Sequence, residues 1–166
     1  RFLGEIKTAR LLSYWLSEKT EKEITDEFNV GMGDVHRYTQ SAEWLMYSIT
    51  EVARVIGASH HLSKLNTYRQ RMKYGVRPEL LEVVSLKGIG RVRGRMLYNY
   101  DLKSISDLYR VPLETMARIP TIGTSIAMSI KRQLGIEVSN DDISIPITSE
   151  SDDDLALQTL LEDFEQ

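Results

Sequence analysis

Residues 86–98 read LKGIGRVRGRMLY. Gly88 and Gly90 let the backbone make a tight turn that bulkier residues would obstruct. The apolar spacing around that turn predicts a helix on each side, from Pro78 to about Leu86 and from Arg91 to Tyr100. The stretch therefore has the spacing of a helix-hairpin-helix motif.

This hairpin suits the binding of a nucleic-acid backbone. Unpaired amides at the start of its second helix can point at a phosphate, and neighbouring basic side chains add charge. A plain glycine turn between two packed helices is the alternative. The candidate DNA-binding residues here are Lys87, Gly88, Gly90, Arg91, Arg93 and Arg95.

A looser second copy follows at residues 119–127, which read IPTIGTSIA. It predicts a helix from Leu113 to Ile119, a turn, and a helix from Thr124 to Leu134. Because this copy has one glycine and little charge, we expect it to pack against the first hairpin, with phosphate contact as the alternative.

Upstream of the hairpins, the apolar spacing is helical throughout. It predicts helices at 2–17, at 21–28 after a capping box opened by Thr20, at 34–56 and at 59–74. Asp34 is expected to cap the long helix and Gly57 to end it. Since no convincing alternating strand occurs, the sequence predicts an all-α protein.

The long helix has two faces. At about 100° per residue, one stripe is apolar and is expected to face the core; it consists of Val35, Tyr38, Ala42, Leu45, Met46, Ile49, Val52, Ala53 and Ile56. Arg37 and Trp44 lie two turns apart on another face. An indole can stack on any base and a guanidinium can hold a phosphate, so this pair suits the gripping of single-stranded nucleic acid without reading its sequence. Packing of Trp44 against another helix of a bundle is an equal alternative.

The net charge of −3 conceals a strong asymmetry. Residues 64–132 hold fourteen basic and five acidic residues, which is typical of a polyanion binder, whereas 136–166 hold ten acidic residues and no Lys or Arg. The acidic segment cannot bury enough apolar surface to order itself. We therefore predict a helical bundle at 1–75, a helix-hairpin-helix domain at 76–135 and a disordered acidic tail at 136–166.

Several classes of site are not expected. Cysteine is absent, and the three histidines lack the spacing of a metal site. No G-x-x-x-x-G-K-[ST] loop is available for a nucleoside triphosphate, no catalytic constellation is found, and no apolar run is long enough to cross a membrane. The sequence thus predicts no catalytic residue, no metal and no cofactor in this chain, and no membrane partner.

Four stretches together are similar to one known family: residues 6–12, residues 29–45, Lys73-Tyr74-Gly75-Val76 and the Gly88 hairpin. They resemble the C-terminal part of archaeal Ski2-like DNA helicases of the Hjm/HelQ-like type. In that family a long "ratchet" helix carries an Arg and a Trp, matched here by Arg37 and Trp44, that contact the unwound 3' strand. A terminal helix-hairpin-helix domain binds the emerging strand and restrains the motor.

The resemblance implies an ATP-dependent 3'-to-5' DNA helicase that acts on forked intermediates of replication and repair, in the archaeal cytoplasm at the nucleoid. ATP and magnesium would bind its motor domains. We expect the chain, which begins at Arg1, to lack those motors and part of the bundle, and to have no activity alone.

The tail contains a second resemblance. Gln158, Leu161 and Phe164 match the peptide by which replication proteins dock on the sliding clamp PCNA, although Glu165 replaces the usual second aromatic. An incidental match is the alternative. Two other functions stay open for the whole chain: a protein-interaction module of a Ski2-like RNA helicase, and the helix-hairpin-helix domain of a structure-specific nuclease.

Overall fold

The computed structural model describes residues 2–138. In that range the chain forms α-helices and short 3-10 turns and has no strand, which confirms the all-α prediction. The helices are α1 (Phe2–Leu16), α2 (Glu21–Phe28), α3 (Met32–Val55), α4 (Leu62–Tyr74), α5 (Arg91–Asn99), α6 (Ile105–Arg110), α7 (Leu113–Ala117) and α8 (Gly123–Gln133). The 3-10 turns are Ser59–His61, Pro78–Leu80 and Val83–Ser85.

The chain divides into two compact units between Leu81 and Glu82, a few residues after the boundary expected at 75. The reason is that the segment following α4 is tied to the first unit. The backbone N–H of Arg77 donates to Glu18 Oε1 at 2.7 Å, and Val76 is completely buried.

In the first unit, α2 begins with the predicted capping box. The backbone N–H of Thr20 donates to Glu23 Oε2 at 2.7 Å, and the N–H of Glu23 donates to Thr20 Oγ1 at 3.1 Å. A hydrogen bond from Lys19 and those from Thr20 lower the pKa of the Glu23 carboxyl. The helix that follows packs into a small core made of Leu11, Ile24, Phe28 and Val35.

The end of α1 is fastened to the end of α4. Trp15 Nε1 donates to the carbonyl of Met72 at 2.8 Å, and the guanidinium of Arg71 donates to the carbonyl of Leu16 at 3.2 Å. Gly75 ends α4 with a φ of +64°, and a Cβ there would lie 2.5 Å from the indole of Trp15. We name this contact the α1–α4 junction; it requires glycine at position 75 for both conformation and space.

The start of α3 differs from the prediction. The helix begins at Met32, and Gly31 is its N-cap without any side-chain hydrogen bond. Asp34 therefore lies inside the first turn, where its carboxylate pairs with Arg37 at 3.0 Å, and it does not cap the helix. At the other end Gly57 adopts a φ of +74° directly after the helix, as expected of a terminating glycine.

The buried face of α3 is rotated from the predicted stripe. Thr39 and Thr50 are buried, whereas Leu45, Ile49, Val52 and Ile56 of that stripe are exposed. Each threonine hydroxyl donates to a carbonyl of its own helix, at 2.9 Å for Thr39 and 2.7 Å for Thr50. Because these hydroxyls are already satisfied, the threonines can be buried against a neighbouring helix without an unpaired polar group. A search for apolar residues at helical spacing passes over threonine, so it does not find this buried face.

The prediction of a helix from Pro78 to Leu86 is wrong. Two 3-10 turns replace it, each closed by a hydrogen bond between residues three apart, such as Leu81 N to Pro78 O at 3.2 Å. Leu80, Val83 and Val84 are almost fully buried. A connector this short gains little from helical hydrogen bonds, so the burial of these three side chains decides its path.

The second unit contains α6, a helix that was not predicted. Ser104 and Asp107 form a capping box at its start, and the hydrogen bond from Ser104 lowers the pKa of the Asp107 carboxyl. At its end, Lys131 of α8 reaches inward and donates from Nζ to the carbonyls of Leu108 and Tyr109, both at 2.9 Å. Burial lowers the pKa of Lys131, and its ammonium supplies partners for carbonyls that a helix terminus leaves unpaired.

Replacing Gly75 with Ala should destabilise the first unit by about 2–4 kcal/mol, because Ala is strained at this φ and its Cβ overlaps Trp15. Gly57→Ala is the matched control: its φ is similarly positive, but a Cβ there meets nothing within 4 Å. It should cost only about 1–2 kcal/mol. Urea unfolding followed by circular dichroism measures both. Equal losses would show that Trp15 does not constrain the junction.

Candidate nucleic-acid interface

Trp44 lies on the outer side of α3. Its direction is about 120–140° around the helix from the buried Thr39 and Thr50, at about 100° per residue. Its exposed fraction is 66%, so the described residues do not use it as core. A large aromatic ring in this position presents a face on which a planar base could stack.

Arg37 projects in nearly the same direction, two turns before Trp44. Its side chain is 66% exposed and pairs with Asp34 at 3.0 Å, with the guanidinium 5.4 Å from the ring centroid of Tyr38. An exposed ion pair of this kind contributes about 0–1 kcal/mol, so a phosphate could replace the carboxylate at small cost. The helix thus presents a cation and an aromatic about 10 Å apart along its axis.

Sequence reasoning missed two residues beside Trp44. Tyr47 lies one turn further along α3 and is 44% exposed, and the guanidinium of Arg69 lies 4.8 Å from its ring centroid. Glu43 lies 3.8 Å from the same guanidinium. Because Arg69 belongs to α4, no spacing within the sequence could pair it with Tyr47. We name Arg37, Trp44, Tyr47 and Arg69 the α3 strip.

In the second unit, the hairpin turn is set by Gly88 and Ile89. Gly88 has a φ of +86°, and Ile89 is 3% exposed and anchors the turn in the core. Gly90 is the N-cap of α5 and provides no side chain to cap it. A helix leaves the amides of its first turn without partners inside the helix, and the N-cap beside them here is an exposed glycine.

Lys87 is held by its backbone. Its N–H donates to Gln133 Oε1 at 2.8 Å, and its carbonyl accepts from Gln133 Nε2 at 3.0 Å. This bidentate contact fixes the first residue of the hairpin to α8 while Lys87 itself remains exposed.

The three arginines of α5 do not share one direction. Arg93 donates to two backbone carbonyls, those of Thr121 at 2.9 Å and Gly88 at 3.2 Å. The guanidinium of Arg95 lies 5.0 Å from the ring centroid of Tyr98, and Arg91 is half-buried. The hairpin is therefore surrounded by positive charge, but these arginines also have structural contacts.

The second hairpin repeats the turn of the first. Ile122 N donates to Ile119 O at 3.1 Å, as Ile89 N does to Leu86 O at 3.2 Å. Thr121, with a φ of +69°, takes the place of Gly88, and Ile122 is buried like Ile89. The bond from Arg93 to Thr121 places the second turn against the first.

Other site classes find no support in residues 2–138. No group of three or more His, Asp or Glu side chains there is arranged to hold a metal ion. No helix in that range is long and apolar enough to cross a membrane. The candidate clamp-binding residues Gln158, Leu161 and Phe164 lie outside the described residues.

Comparison with known proteins matches the first unit to a known family. Residues 1–75 match the family described as archaeal helicase, domain 4. This match covers all of α1 to α4, and so includes the α3 strip.

Curated relatives extend the similarity into the second unit. The chain is 40% identical over 139 residues to the ATP-dependent DNA helicase Hel308 of Pyrococcus abyssi, covering 83% of this chain and 19% of that protein. It is 43% identical over 134 residues to Hel308 of Caldivirga maquilingensis, covering 80% of this chain and 18% of that protein. For Hel308 of Thermococcus kodakarensis the figures are 39% over 137 residues, 82% and 12%. The chain spans about a fifth or less of the length of these relatives.

Proposed function

The chain belongs to the archaeal Ski2-like helicases, and from this premise we propose that it holds single-stranded DNA for a helicase motor carried elsewhere in the parent protein. The observation that carries the proposal is Trp44, a large aromatic that is 66% exposed on α3. An indole this exposed forgoes the stabilising free energy of apolar burial, and stacking on a base would offset that loss.

Binding on the α3 strip would combine two contacts. A base stacks on the indole of Trp44, while Arg37 exchanges the carboxylate of Asp34 for a phosphate. Neither contact reads a base edge, so the strand can pass in any sequence, as a translocating enzyme requires. Affinity should fall steeply with salt because phosphate neutralisation releases counterions.

The first hairpin would provide the second hold on the strand. Its exposed glycines allow a phosphate to approach the amides at the start of α5, and the surrounding basic residues attract it. By the family resemblance, this unit would bind the emerging strand and restrain the motor, and the substrate would be a forked intermediate of replication or repair.

ATP and magnesium would act in the parent protein's motor domains. The 166-residue sequence contains no G-x-x-x-x-G-K-[ST] motif, so its residues do not fit ATP or the magnesium ion that accompanies it. We place the cellular site of action at the archaeal nucleoid in the cytoplasm.

A second candidate function is protein interaction. Leu45, Ile49, Val52 and Ile56 leave an apolar edge exposed along α3, which favours a protein contact on that side. This edge is separate from the direction of Trp44. A chain that bound a protein partner and failed to bind labelled single-stranded DNA at modest salt would favour this function over strand gripping.

The tail would dock on a sliding clamp. Leu161 and Phe164 would enter an apolar pocket of the clamp while Gln158 supplies hydrogen bonds, as in other extended peptides that order on binding. Because Glu165 stands where a second aromatic is usual, we propose weak docking.

Trp44→Ala should weaken binding of labelled single-stranded DNA by about 1–3 kcal/mol in fluorescence anisotropy, because stacking is lost. Its melting temperature should change little. Val55→Ala is the matched control, since Val55 is 85% exposed on the same side of α3 and should alter neither quantity. A large fall in melting temperature for Trp44→Ala would instead identify Trp44 as a packing residue.

Gly90→Val should weaken DNA binding by at least about tenfold, more than neutralising any one of Arg91, Arg93 and Arg95, because its side chain blocks the amides. The protein should still fold: Gly90 has an extended backbone with a φ of −90°, and a Cβ there meets nothing within 4 Å. A folded variant that binds DNA as well as the wild type would refute contact through these amides.

The whole chain should bind the cognate sliding clamp with micromolar affinity, about 8 kcal/mol at a Kd of 1 μM, in isothermal calorimetry. Leu161→Ala combined with Phe164→Ala should remove most of this affinity. Leu155→Ala combined with Leu157→Ala, in the same tail, should not. No heat at hundreds of micromolar chain would reduce the motif to a chance match.

A further inference from the structure

Arg93 lies between the two hairpin turns and contacts both. Its Nε donates to the carbonyl of Thr121 at 2.9 Å, and its Nη1 donates to the carbonyl of Gly88 at 3.2 Å. The side chain is half-buried. Two donors of one planar group therefore join two separate turns, and Thr121 in the second turn lies 28 residues from Arg93 in sequence.

We propose that Arg93 is a positioning residue for the DNA-binding hairpin: it sets the two turns against each other and does not neutralise a DNA phosphate. This inference rests on the proposed function of the hairpin. It assigns Arg93 a different role from the direct DNA contact that the sequence suggested.

The two acceptors occupy corresponding places in their turns. Gly88 and Thr121 both have left-handed backbones, with φ of +86° and +69°. Glycine adopts this conformation freely, whereas a β-branched residue does so only at a cost in free energy. The second turn therefore depends on contacts from outside itself, and a charged donor gives a stronger hydrogen bond to its carbonyl than a neutral one.

The hydroxyl of Thr121 adds to this dependence. Its Oγ1 is buried and has no hydrogen-bond partner among the described residues. A buried polar atom without a partner weakens the turn further. The hydrogen bond from Arg93 to the carbonyl of Thr121 therefore links the second turn to the first hairpin.

The direction of the guanidinium follows from its two acceptors. With Nε and Nη1 engaged by carbonyls of the protein, the planar fork cannot also make a bidentate contact to a phosphate through those atoms. Gln133 holds the backbone of Lys87 on α8, so the first hairpin is fixed by two separate side chains. Lys87 itself remains exposed and is the better candidate for a phosphate contact.

The salt dependence of DNA binding separates the two roles. For a single strand, each phosphate contact contributes about 0.7 to the slope of log K against log salt concentration. Lys87→Met should therefore lower that slope by about 0.7 in the whole chain. Arg93→Met should weaken binding about three- to tenfold with a slope change below about 0.3. A slope change for Arg93→Met equal to that of Lys87→Met would overturn the proposal.

Amide hydrogen exchange in the DNA-free protein gives an independent test. The amides of Ile89 and Ile122 close the two turns, and Arg93→Met should speed their exchange by at least about threefold while Lys87→Met should not. Unchanged exchange at both amides would overturn the positioning role. If Lys87→Met and Gly90→Val leave DNA binding intact, the proposed function of the hairpin fails, and exchange alone then decides the role of Arg93.

Arg93→Lys covers the case in which the Met variant does not fold. It keeps the charge and loses the planar fork. Weaker binding at an unchanged slope, with faster exchange at Ile122, supports positioning. Full retention of affinity and of both exchange rates would show that charge alone is sufficient, and would overturn it.

Discussion

An indole ring packed against a residue without a side chain constrains the first unit. Trp15 occupies the space that a Cβ on Gly75 would need, and its Nε1 donates to the carbonyl of Met72. The last turns of α1 and α4 are thereby held together while α3 packs on α4 and buries Thr39 and Thr50. With its buried face engaged in this way, α3 turns Arg37 and Trp44 outward. The exposure of the candidate strand-binding face thus depends on a contact made elsewhere in the bundle.

The second unit is held by polar side chains that bind backbone. Lys131 completes the end of α6, Gln133 brackets Lys87, and Arg93 joins the two hairpin turns. Short helices leave many backbone groups unpaired relative to their length, and buried groups of this kind must find partners. Side chains with several donors meet that requirement at places where secondary structure cannot. Several residues that look like DNA ligands in a basic sequence are thus also parts of the framework.

Both candidate surfaces suit contact with the backbone and the faces of bases, without base-edge readout. An aromatic beside a cation and a glycine turn beside helix amides are each indifferent to sequence. Under the proposed function, each contact would hold a strand of any sequence. This chemistry accords with a chain whose curated relatives are DNA helicases.

Local features were predictable from the sequence because they depend on neighbouring residues. The capping box at Thr20, the termination of α3 at Gly57 and the turn at Gly88 each follow from the conformational preferences of a few consecutive residues. The α6 capping box was missed, although Ser104 and Asp107 have the right spacing, because Asp replaces the usual Glu. The partners of individual side chains, by contrast, follow only from the tertiary structure. The buried face of α3 contains threonines that hydrogen-bond to their own helix, which the apolar pattern did not predict. Arg69 of α4 contacts the ring of Tyr47 on α3, and Arg93 donates to Thr121, 28 residues away in sequence. Such pairings depend on how the chain folds back on itself, and the spacing of residues along the sequence does not contain that information.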